Sequence, residues 1–252
     1  MENYVDIHSH ILPGLDDGAK SAAESLEMLK MGYRQGIKTI IATPHYGKYS
    51  TQYDIETVKK VADLMQRDIK QDCPDLKILL GNEIYYSYDV VMDLKAGKAM
   101  TLAGSDYVLV EFDFNSDYAK IIAAIRELKL AGYKPIIAHA ERYLCIFGDT
   151  EKAKEIHSEG ALIQVNAGML LNPPSKTDNW SIMVSKTHHN LIDIFEEAAW
   201  KLLKADQVDF IASDTHDSTY RRPVIGDAFE VIETELGNDI VDTLINNAKN
   251  II

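Results

Sequence analysis

Residue types that bind metal ions recur where β-rich runs of this sequence end. His8 and His10 close the run V-D-I-H-S-H, and alternation along a strand places residues i and i+2 on one side. Later runs end in further residues of this kind: His45, Glu83, Glu111, His139, Asp214 and His216. Because desolvating so many polar and charged groups together is costly unless something pairs with them, the pattern predicts a metal cluster.

Seven short apolar runs alternate with longer segments of helical spacing. The runs cover residues 4–8, 37–43, 77–83, 107–112, 135–139, 162–166 and 208–213. One helix is predicted to begin at the capping box Ser21-Ala-Ala-Glu24 and to stop at Gly36. The others are predicted over 55–70, 118–130, 150–159, 189–204 and 227–236.

This alternation is typical of parallel strands joined by crossover helices. It predicts one α/β domain over residues 1–252, as a closed or nearly closed barrel of seven strands, with a doubly wound open sheet as the alternative. In a parallel barrel the carboxyl ends of the strands meet at one rim, where active sites are built. Six of the seven runs therefore deliver a metal-ligand residue type to the same rim.

Composition narrows the classes of function. The formal net charge of −13 argues against a nucleic-acid or anionic-membrane surface, which needs clustered Lys and Arg. The sequence contains no apolar run near the roughly 18 residues of a membrane helix and no signal peptide, so a cytoplasmic protein is expected. Cys73 and Cys145 are followed six residues later by Leu79 and Glu151, so the C-x5-R signature of cysteine-dependent phosphatases is absent.

An ordered set of motifs resembles the PHP (polymerase and histidinol phosphatase) superfamily. The motifs are D-I-H-S-H, P-H, G-N-E-I-Y-Y, V-E-F, I-A-H-A-E-R-Y and A-S-D-T-H, and they span most of the chain. Within the superfamily, L-P-G-L-D-D-G, G-N-E-I-Y-Y and I-A-H-A-E-R-Y look like the CpsB-type tyrosine-protein phosphatases of bacterial capsule and exopolysaccharide operons. The resemblance implies a distorted seven-stranded parallel TIM-like barrel of the PHP type.

The resemblance also implies a site for three divalent metal ions, most often manganese. Carried over by motif, the first ion takes His8, His10, Glu83 and Asp214, the second Glu83, Glu111 and His139, and the third Asp17, His45 and His216. Asp16, beside Asp17, is the weaker candidate. Mixed imidazole and carboxylate ligands suit Mn²⁺, Fe²⁺ or Zn²⁺. Such ions can activate water for in-line attack on phosphorus, with no phosphoenzyme expected.

Two arginines are implied to hold the phosphoryl group, since guanidinium forks match phosphate. They are Arg142, three residues after His139, and Arg222 in the R-R-P run, with Arg221 as the alternative. Asp214 and His216 are expected to share in catalysis. Four tyrosines are candidates to flank the pocket: Tyr85, Tyr86, Tyr143 and Tyr220.

The function implied is hydrolysis of phosphotyrosine on the tail of a tyrosine autokinase that controls polysaccharide export. A small-molecule phosphoesterase, such as a histidinol-phosphate phosphatase, and a metal-bearing scaffold that binds the kinase without turnover stay open. The oligomeric state also stays open, as does the role of residues 168–187, whether lid, docking loop or subunit contact. His157, His188 and His189 are expected to be surface or capping residues.

Overall fold

Parallel strands and helices alternate along the chain in the computed structural model, which describes residues 3–48, 53–173 and 191–252. The strands are β1 (Tyr4–Ser9), β2 (Ile37–Ala42), β3 (His45–Tyr46), β4 (Lys77–Leu80), β5 (Glu83–Tyr85), β6 (Tyr107–Glu111), β7 (Lys134–Ile137), β8 (Leu162–Asn166) and β9 (Phe210–Ala212). The helices are α1 (Ala22–Arg34), α2 (Ile55–Ile69), α3 (Val90–Lys95), α4 (Tyr118–Leu130), α5 (Thr150–Glu159), α6 (Leu191–Lys204), α7 (Ile225–Leu236) and α8 (Asn238–Lys249).

The strands form a curled parallel arrangement. Each of the seven predicted runs contains a strand, but the second and third runs are interrupted, after β2 and after β4. Two sheets result, with strand orders β1-β2-β4 and β3-β5-β6-β7-β8-β9, in place of one seven-stranded sheet. A parallel bridge between Ser9 and Thr215 links the end of β1 to the segment after β9.

The two interruptions have local chemical causes. Pro44 lies between β2 and β3, and proline has no N–H to donate to a ladder. Gly81 and Asn82 lie between β4 and β5, where the Asn82 side-chain amide donates to the Pro44 carbonyl over 2.8 Å. The same side chain accepts from the Met100 amide over 2.9 Å. The Asn82 side chain thus supplies hydrogen bonds where the ladder between strands is broken, just before β3 and β5 begin at His45 and Glu83.

Burial divides the strand residues between two apolar cores. The larger core lies between the sheets and the helices, and alternate residues of β8, Ile163 and Val165, belong to it. The smaller core consists mainly of strand residues, such as Val5, Ile7 and Leu109, together with residues of other elements, among them Ala248 of α8. Its side chains pack inside the curled sheet, as side chains do in the interior of α/β barrels.

Helix boundaries largely follow the sequence. Helix α1 begins after Ser21, whose hydroxyl accepts from the Glu24 amide over 3.2 Å, while the Glu24 carboxylate accepts from the Lys20 amide over 2.9 Å. Helices α4 and α5 have the predicted bounds. Helices α3 and α8 were not predicted; α8 packs Leu244 and Ala248 into the core. Among the described residues, no helix is both long enough and apolar enough to span a bilayer.

His157 is not the surface or capping residue that the sequence indicated. Its Nε2 lies 2.8 Å from Asp209 Oδ2 and its Nδ1 lies 3.2 Å from Gln207 Oε1, and the side chain is 27% exposed. The Gln207 amide nitrogen donates to two backbone carbonyls, which fixes Oε1 towards the histidine. Because both ring nitrogens face acceptors, the protonated imidazole is favoured, and the hydrogen bond to Asp209 raises the pKa of His157.

We expect the His157→Gln substitution to destabilise the protein by about 1–2 kcal/mol at pH 6, since charge-assisted hydrogen bonds contribute about that much. The folded-state pKa lies above the unfolded value, so this contribution is complete below about pH 6.5 and is lost as pH rises through the folded pKa. Urea unfolding of both proteins at pH 6 and pH 9, in chelator, measures the difference. An equal difference at the two pH values would contradict the assignment.

Candidate metal centre

His8 and His10 point their Nε2 atoms at each other from the buried end of β1. The two atoms are 3.2 Å apart. His8 Nδ1 lies 3.1 Å from Gln164 Oε1, and His10 Nδ1 lies 2.8 Å from Asp16 Oδ2. Since both of those oxygens can only accept, each Nδ1 carries a hydrogen, and Nε2 is the atom of each ring that is left to bind either a proton or a metal ion.

Glu83, at the start of β5, occupies the centre of the cluster. Its Oε2 lies 3.2 Å from His8 Nε2, 3.1 Å from His10 Nε2 and 3.0 Å from His45 Nδ1. Its Oε1 lies 2.8 Å from His139 Nε2. The side chain is 1% exposed. One carboxylate therefore faces four imidazoles, which is the position expected of a ligand that bridges two ions.

Asp17, His45 and His216 form a second group on the outer side of the cluster. Asp17 Oδ1 lies 3.3 Å from Nε2 of each histidine. His216 Nδ1 donates to the Asp214 carbonyl over 2.9 Å, which leaves its Nε2 lone pair facing Asp17. Burial lowers the pKa of His216, and so does neighbouring His10, so this imidazole is neutral.

Asp214 joins the imidazoles to the cationic side of the site. Its Oδ1 lies 3.4 Å from His8 Nε2 and 3.5 Å from His216 Nδ1. Its Oδ2 accepts from Arg142 over 2.9 Å and from Arg221 over 2.7 Å. Its backbone is left-handed, with φ of 49°, and His139 is also left-handed, with φ of 36°. Strained backbone of this kind persists where the surroundings hold it, commonly at functional sites.

All nine expected metal-ligand residues lie at this one rim. Three groups have candidate ligand atoms within 4.8 Å of one another: His10, Asp17, His45 and His216; His8, His10 and Glu83; and His45, Glu83 and Glu111. These groups overlap the three ligand sets implied by the motifs without matching them. His10 joins the outer group, and His45 takes the place expected for His139 beside Glu111. Glu111 Oε1 lies 3.2 Å from His45 Nδ1, and Oε2 lies 3.8 Å from His139 Nε2.

The donor set fits divalent cations. Imidazole nitrogens and carboxylate oxygens converge at distances that are favourable only where a proton or a cation lies between them. Burial opposes ionisation of Glu83 and Asp214, but the histidines around Glu83, and Arg142 and His8 near Asp214, outweigh it and hold both carboxyl pKa values well below their usual range. These two carboxylates are therefore in the deprotonated form that metals require.

Protons compete with the cation at the histidines around Glu83, since the carboxylates beside them raise the pKa values of His8 and His45 as well as that of His10. Burial alone would lower the pKa of His10, but Asp16 and Glu83 outweigh it and raise that pKa to about 9. Near neutral pH a proton is thus held among these groups in the metal-free protein. Metal binding is expected to release it, as for other sites built from ionisable ligands.

Arg221, and not Arg222, reaches the site. The Asp217 carboxylate accepts from the Thr219 and Tyr220 amides, and this tight turn returns Arg221 to pair with His216, whose amide donates to the Arg221 carbonyl over 2.9 Å. The next side chain then points away, with Arg222 Nη2 3.9 Å from Asp227 Oδ2. The expectation for Arg222 is corrected to Arg221, because the turn sets which of the two arginines faces the ligands.

The candidate tyrosines divide into two pairs. Tyr86 and Tyr143 are buried; the Tyr143 hydroxyl accepts from the Phe112 amide over 3.1 Å, and Tyr86 donates to Glu127 over 2.5 Å. Both belong to the packing behind the rim. Tyr85 donates to Asp113, while Tyr220 is 96% exposed and adjoins Arg221. Residues 174–187 of the segment singled out in the sequence, together with His188 and His189, lie outside the described residues.

A cavity of about 210 Å³ opens over the cluster. It is lined by Asp17, His45, Glu83, Glu111, His139, Arg142, Asp214, His216 and Arg221. Ligand pockets for whole small molecules are commonly about 300–1,000 Å³. This cavity therefore suits a small anionic group whose carrier stays outside.

Three residues that hold the ligands in place were not assigned that role from the sequence: Gln164 and Asn166 were not singled out, and Asp16 was weighed only as a weaker ligand candidate. Asp16 binds His10 Nδ1 and accepts from the His45 amide over 3.1 Å, while Gln164 and Asn166 on β8 bond to other ligands. Residues 162–166 read L-I-Q-V-N, with polar residues alternating inside a buried strand. That alternation was the available signal, because a buried strand carries amides only where they find partners.

Gly18 closes the loop that carries Asp16 and Asp17 against β1. A Cβ atom at this position would lie 2.1 Å from the His10 carbonyl oxygen and 2.5 Å from His10 Cβ. The Gly18 amide donates to Asp16 Oδ1 over 3.0 Å, and the Ala19 amide donates to the His10 carbonyl over 3.0 Å. Only glycine lets the two backbones approach this closely.

Comparisons with known proteins place this geometry among phosphatase relatives. The family model described as "Capsular polysaccharide synthesis, CpsB/CapC" matches residues 4–177 and 192–252. Tyrosine-protein phosphatase CpsB of Streptococcus agalactiae is 31% identical over 251 residues, 98% of each chain. Tyrosine-protein phosphatase YwqE of Bacillus subtilis is 33% identical over 246 residues, 97% of this chain and 90% of the relative. A solved structure described as "Crystal structures of YwqE from Bacillus subtilis and CpsB from Streptococcus pneumoniae, unique metal-dependent tyrosine phosphatases" is similar with a TM-score of 0.83 and 32% identity, covering 98% of this chain and 93% of that one.

Proposed function

Because this chain belongs to the CpsB/CapC family of capsular polysaccharide synthesis proteins, we propose that it is a metal-dependent protein-tyrosine phosphatase. The observation that carries the proposal is the meeting of imidazoles, carboxylates and two arginines in one shallow cavity. Hydrolysis of a phosphate monoester is accelerated by cationic groups around the phosphoryl oxygens, and this site places two guanidinium groups beside a cluster of metal-ligand residue types. The whole chain, residues 1–252, acts as one phosphatase domain of the PHP type, whose strands make a seven-stranded barrel.

The proposed metal content is three divalent ions, most often Mn²⁺, with Fe²⁺ and Zn²⁺ as alternatives. The proposed ligands are His8, His10, Asp17, His45, Glu83, Glu111, His139, Asp214 and His216. When bound, such ions acidify a water for attack and offset the charge of the phosphoryl oxygens. The convergence of imidazole nitrogens on the ionised Glu83 carboxylate supports this content.

The protein's own cationic groups hold the substrate. Arg142 and Arg221 both donate to Asp214 Oδ2, and each guanidinium has five N–H donors, so donors are left for phosphoryl oxygens. Asp214 keeps the two guanidinium groups beside the imidazoles, at the mouth of the cavity. The arginines orient the phosphorus towards the cluster and stabilise the charge that develops on its oxygens.

A phosphotyrosine in an extended chain suits this cavity. At about 210 Å³ it admits the phosphoryl group, while the rest of the substrate lies along the rim. The substrate proposed is the tyrosine-rich tail of an autokinase in capsule or exopolysaccharide synthesis, reached in the cytoplasm. A small phosphorylated metabolite would be poorly enclosed here, because buried pockets usually cover most of a small ligand.

The test compares three phosphoesters with one enzyme preparation. Protein stripped with chelator and reloaded with Mn²⁺ is offered a phosphotyrosine peptide, a phosphoserine peptide and histidinol phosphate, and released phosphate is measured. We expect phosphate mainly from phosphotyrosine, with the rate lost on chelation and restored by metal. Faster turnover of histidinol phosphate would replace the proposal with a small-molecule phosphatase. Bound metal without turnover of any of the three would favour a scaffold.

A further inference from the structure

Strand β8 differs from the other strands in the residues it brings to the rim. The sixth predicted run alone ends without a metal-ligand residue type, and it carries Gln164 and Asn166 instead. The two side chains are 0% and 2% exposed. Buried amides are costly unless every donor and acceptor is paired, so their partners indicate what they do.

Gln164 contacts ligands from two other strands. Its Oε1 lies 3.1 Å from His8 Nδ1 and accepts from the His139 backbone amide over 2.9 Å. Its Nε2 donates to Asn166 Oδ1 over 2.8 Å. The His139 amide is the one that precedes the left-handed turn carrying the imidazole ring into the site.

Asn166 extends the chain of hydrogen bonds to Asp214. Its Nδ2 donates to Asp214 Oδ2 over 2.7 Å. An ionised carboxylate can only accept, so the Asn166 amide nitrogen faces Asp214 and its oxygen faces Gln164. Gln164 must then turn its nitrogen to Asn166 and its oxygen to His8, an orientation that the His139 N–H requires independently.

We propose that Gln164 and Asn166 form a positioning relay that selects the Nδ1–H form of His8 and thereby presents its Nε2 to the metal. The same relay holds the backbone of His139 and the carboxylate of Asp214, so one pair of amides aligns ligands from three strands. Neither amide contacts an ion or the substrate. The inference rests on the metal centre of the proposed function and not on its specificity for phosphotyrosine.

A purely structural role predicts a different outcome. If the amides served only to satisfy buried groups, their loss would lower stability and leave the metal affinity of the folded protein unchanged. Partners of metal-bound histidines typically alter affinity by about 10–100-fold when removed. Affinity and tautomer, both measured without substrate, therefore separate the two roles.

The experiment compares Gln164→Met with Gln164→Glu, and uses Gln207→Met as the matched control. Methionine keeps the length of the side chain without an acceptor for His8, whereas glutamate keeps the acceptor. Gln207 is a second buried glutamine, bonded to backbone carbonyls and to His157, away from the ligands. Mn²⁺ affinity is measured by calorimetry, and the protonated nitrogen of His8 by long-range ¹H–¹⁵N NMR of the metal-free protein in chelator, at a pH above the pKa of His8.

We expect Gln164→Met to weaken metal binding about 10–100-fold and to lose the single Nδ1–H form of His8. Gln164→Glu keeps the acceptor for His8 but loses the donor to Asn166, so it is expected to keep that form and to bind metal more tightly than Gln164→Met. Gln207→Met is expected to keep that form and to bind metal within about threefold of the parent protein. Unchanged affinity and tautomer in Gln164→Met would overturn the relay. If Gln164→Met does not fold, Gln164→Glu decides, and loss of the Nδ1–H form in a folded Gln164→Glu protein would also overturn it.

Discussion

Substituting glutamine for Glu83 is expected to lower the rate of phosphotyrosine hydrolysis at least about a thousandfold and to lower the amount of bound metal. Glu83 Oε2 faces nitrogens of His8, His10 and His45, and Oε1 faces His139. Glutamine has the same shape but no negative charge, and it offers an N–H₂ group where a ligand oxygen is needed. This one substitution thus removes the carboxylate that contacts four histidines of the proposed metal site.

The measurement pairs steady-state rates with metal content determined by mass spectrometry after dialysis. Glu159→Gln makes the same chemical change at the end of α5, where Glu159 pairs with Arg126, and is expected to leave both quantities unchanged. Circular dichroism in chelator checks that the Glu83 variant is folded. A folded Glu83→Gln protein with normal metal content and rate would contradict the proposal that Glu83 is a metal ligand.

The second large effect concerns the neighbouring arginines. Arg221→Ala is expected to lower kcat/KM for a phosphotyrosine peptide about 100–1,000-fold, in the range found for loss of one donor that stabilises transition-state charge. Arg142→Ala is expected to behave similarly, because both guanidinium groups meet at Asp214 Oδ2. Arg221→Lys is expected to recover only part of the loss, since an ammonium group lacks the planar fork that matches phosphate.

Arg222→Ala serves as the matched control, one residue further along the chain. Its guanidinium lies towards Asp227 and not over the cavity, so kcat/KM is expected to change less than about threefold. Salt titrations of both variants distinguish a local contact from a general change in surface charge. A larger loss in Arg222→Ala than in Arg221→Ala would reverse the assignment of the two residues.

The sequence was sufficient for the parts of the molecule that depend on local pattern. Strand runs, most helix bounds and eight of the nine proposed metal-ligand residues follow from alternation, capping and the position of polar residues at strand ends, whereas Asp17 was implied by the family motif. His157 and Arg222 were misplaced because their environments depend on tertiary contacts. His157 meets Asp209 about fifty residues later in the chain, and the Asp217 turn selects Arg221.

The residues that align the ligands were harder to recognise for a physical reason. Asp16, Gln164 and Asn166 bind no metal in the proposed site, and their identity matters only through the side chain that each one contacts. A sequence displays residue types and spacing, but it does not display which hydrogen-bond partner a buried amide finds. The breaks in the strands after β2 and β4 could not be predicted for the same reason, because the hydrogen bond that spans them joins the Asn82 side chain to the Pro44 carbonyl, far away in the sequence.

Gly18 is a position that would tolerate no substitution in a mutational scan, although it has no side chain that could take part in chemistry. It contributes no side chain, yet any Cβ would overlap the His10 carbonyl, so every replacement has to move either the strand or the aspartate loop. Selection acting on this chain would therefore preserve Gly18 as strictly as a ligand. Judged by invariance alone, Gly18 would be grouped with the catalytic and metal-ligand residues, although its only contribution is the absence of a Cβ atom beside the His10 carbonyl.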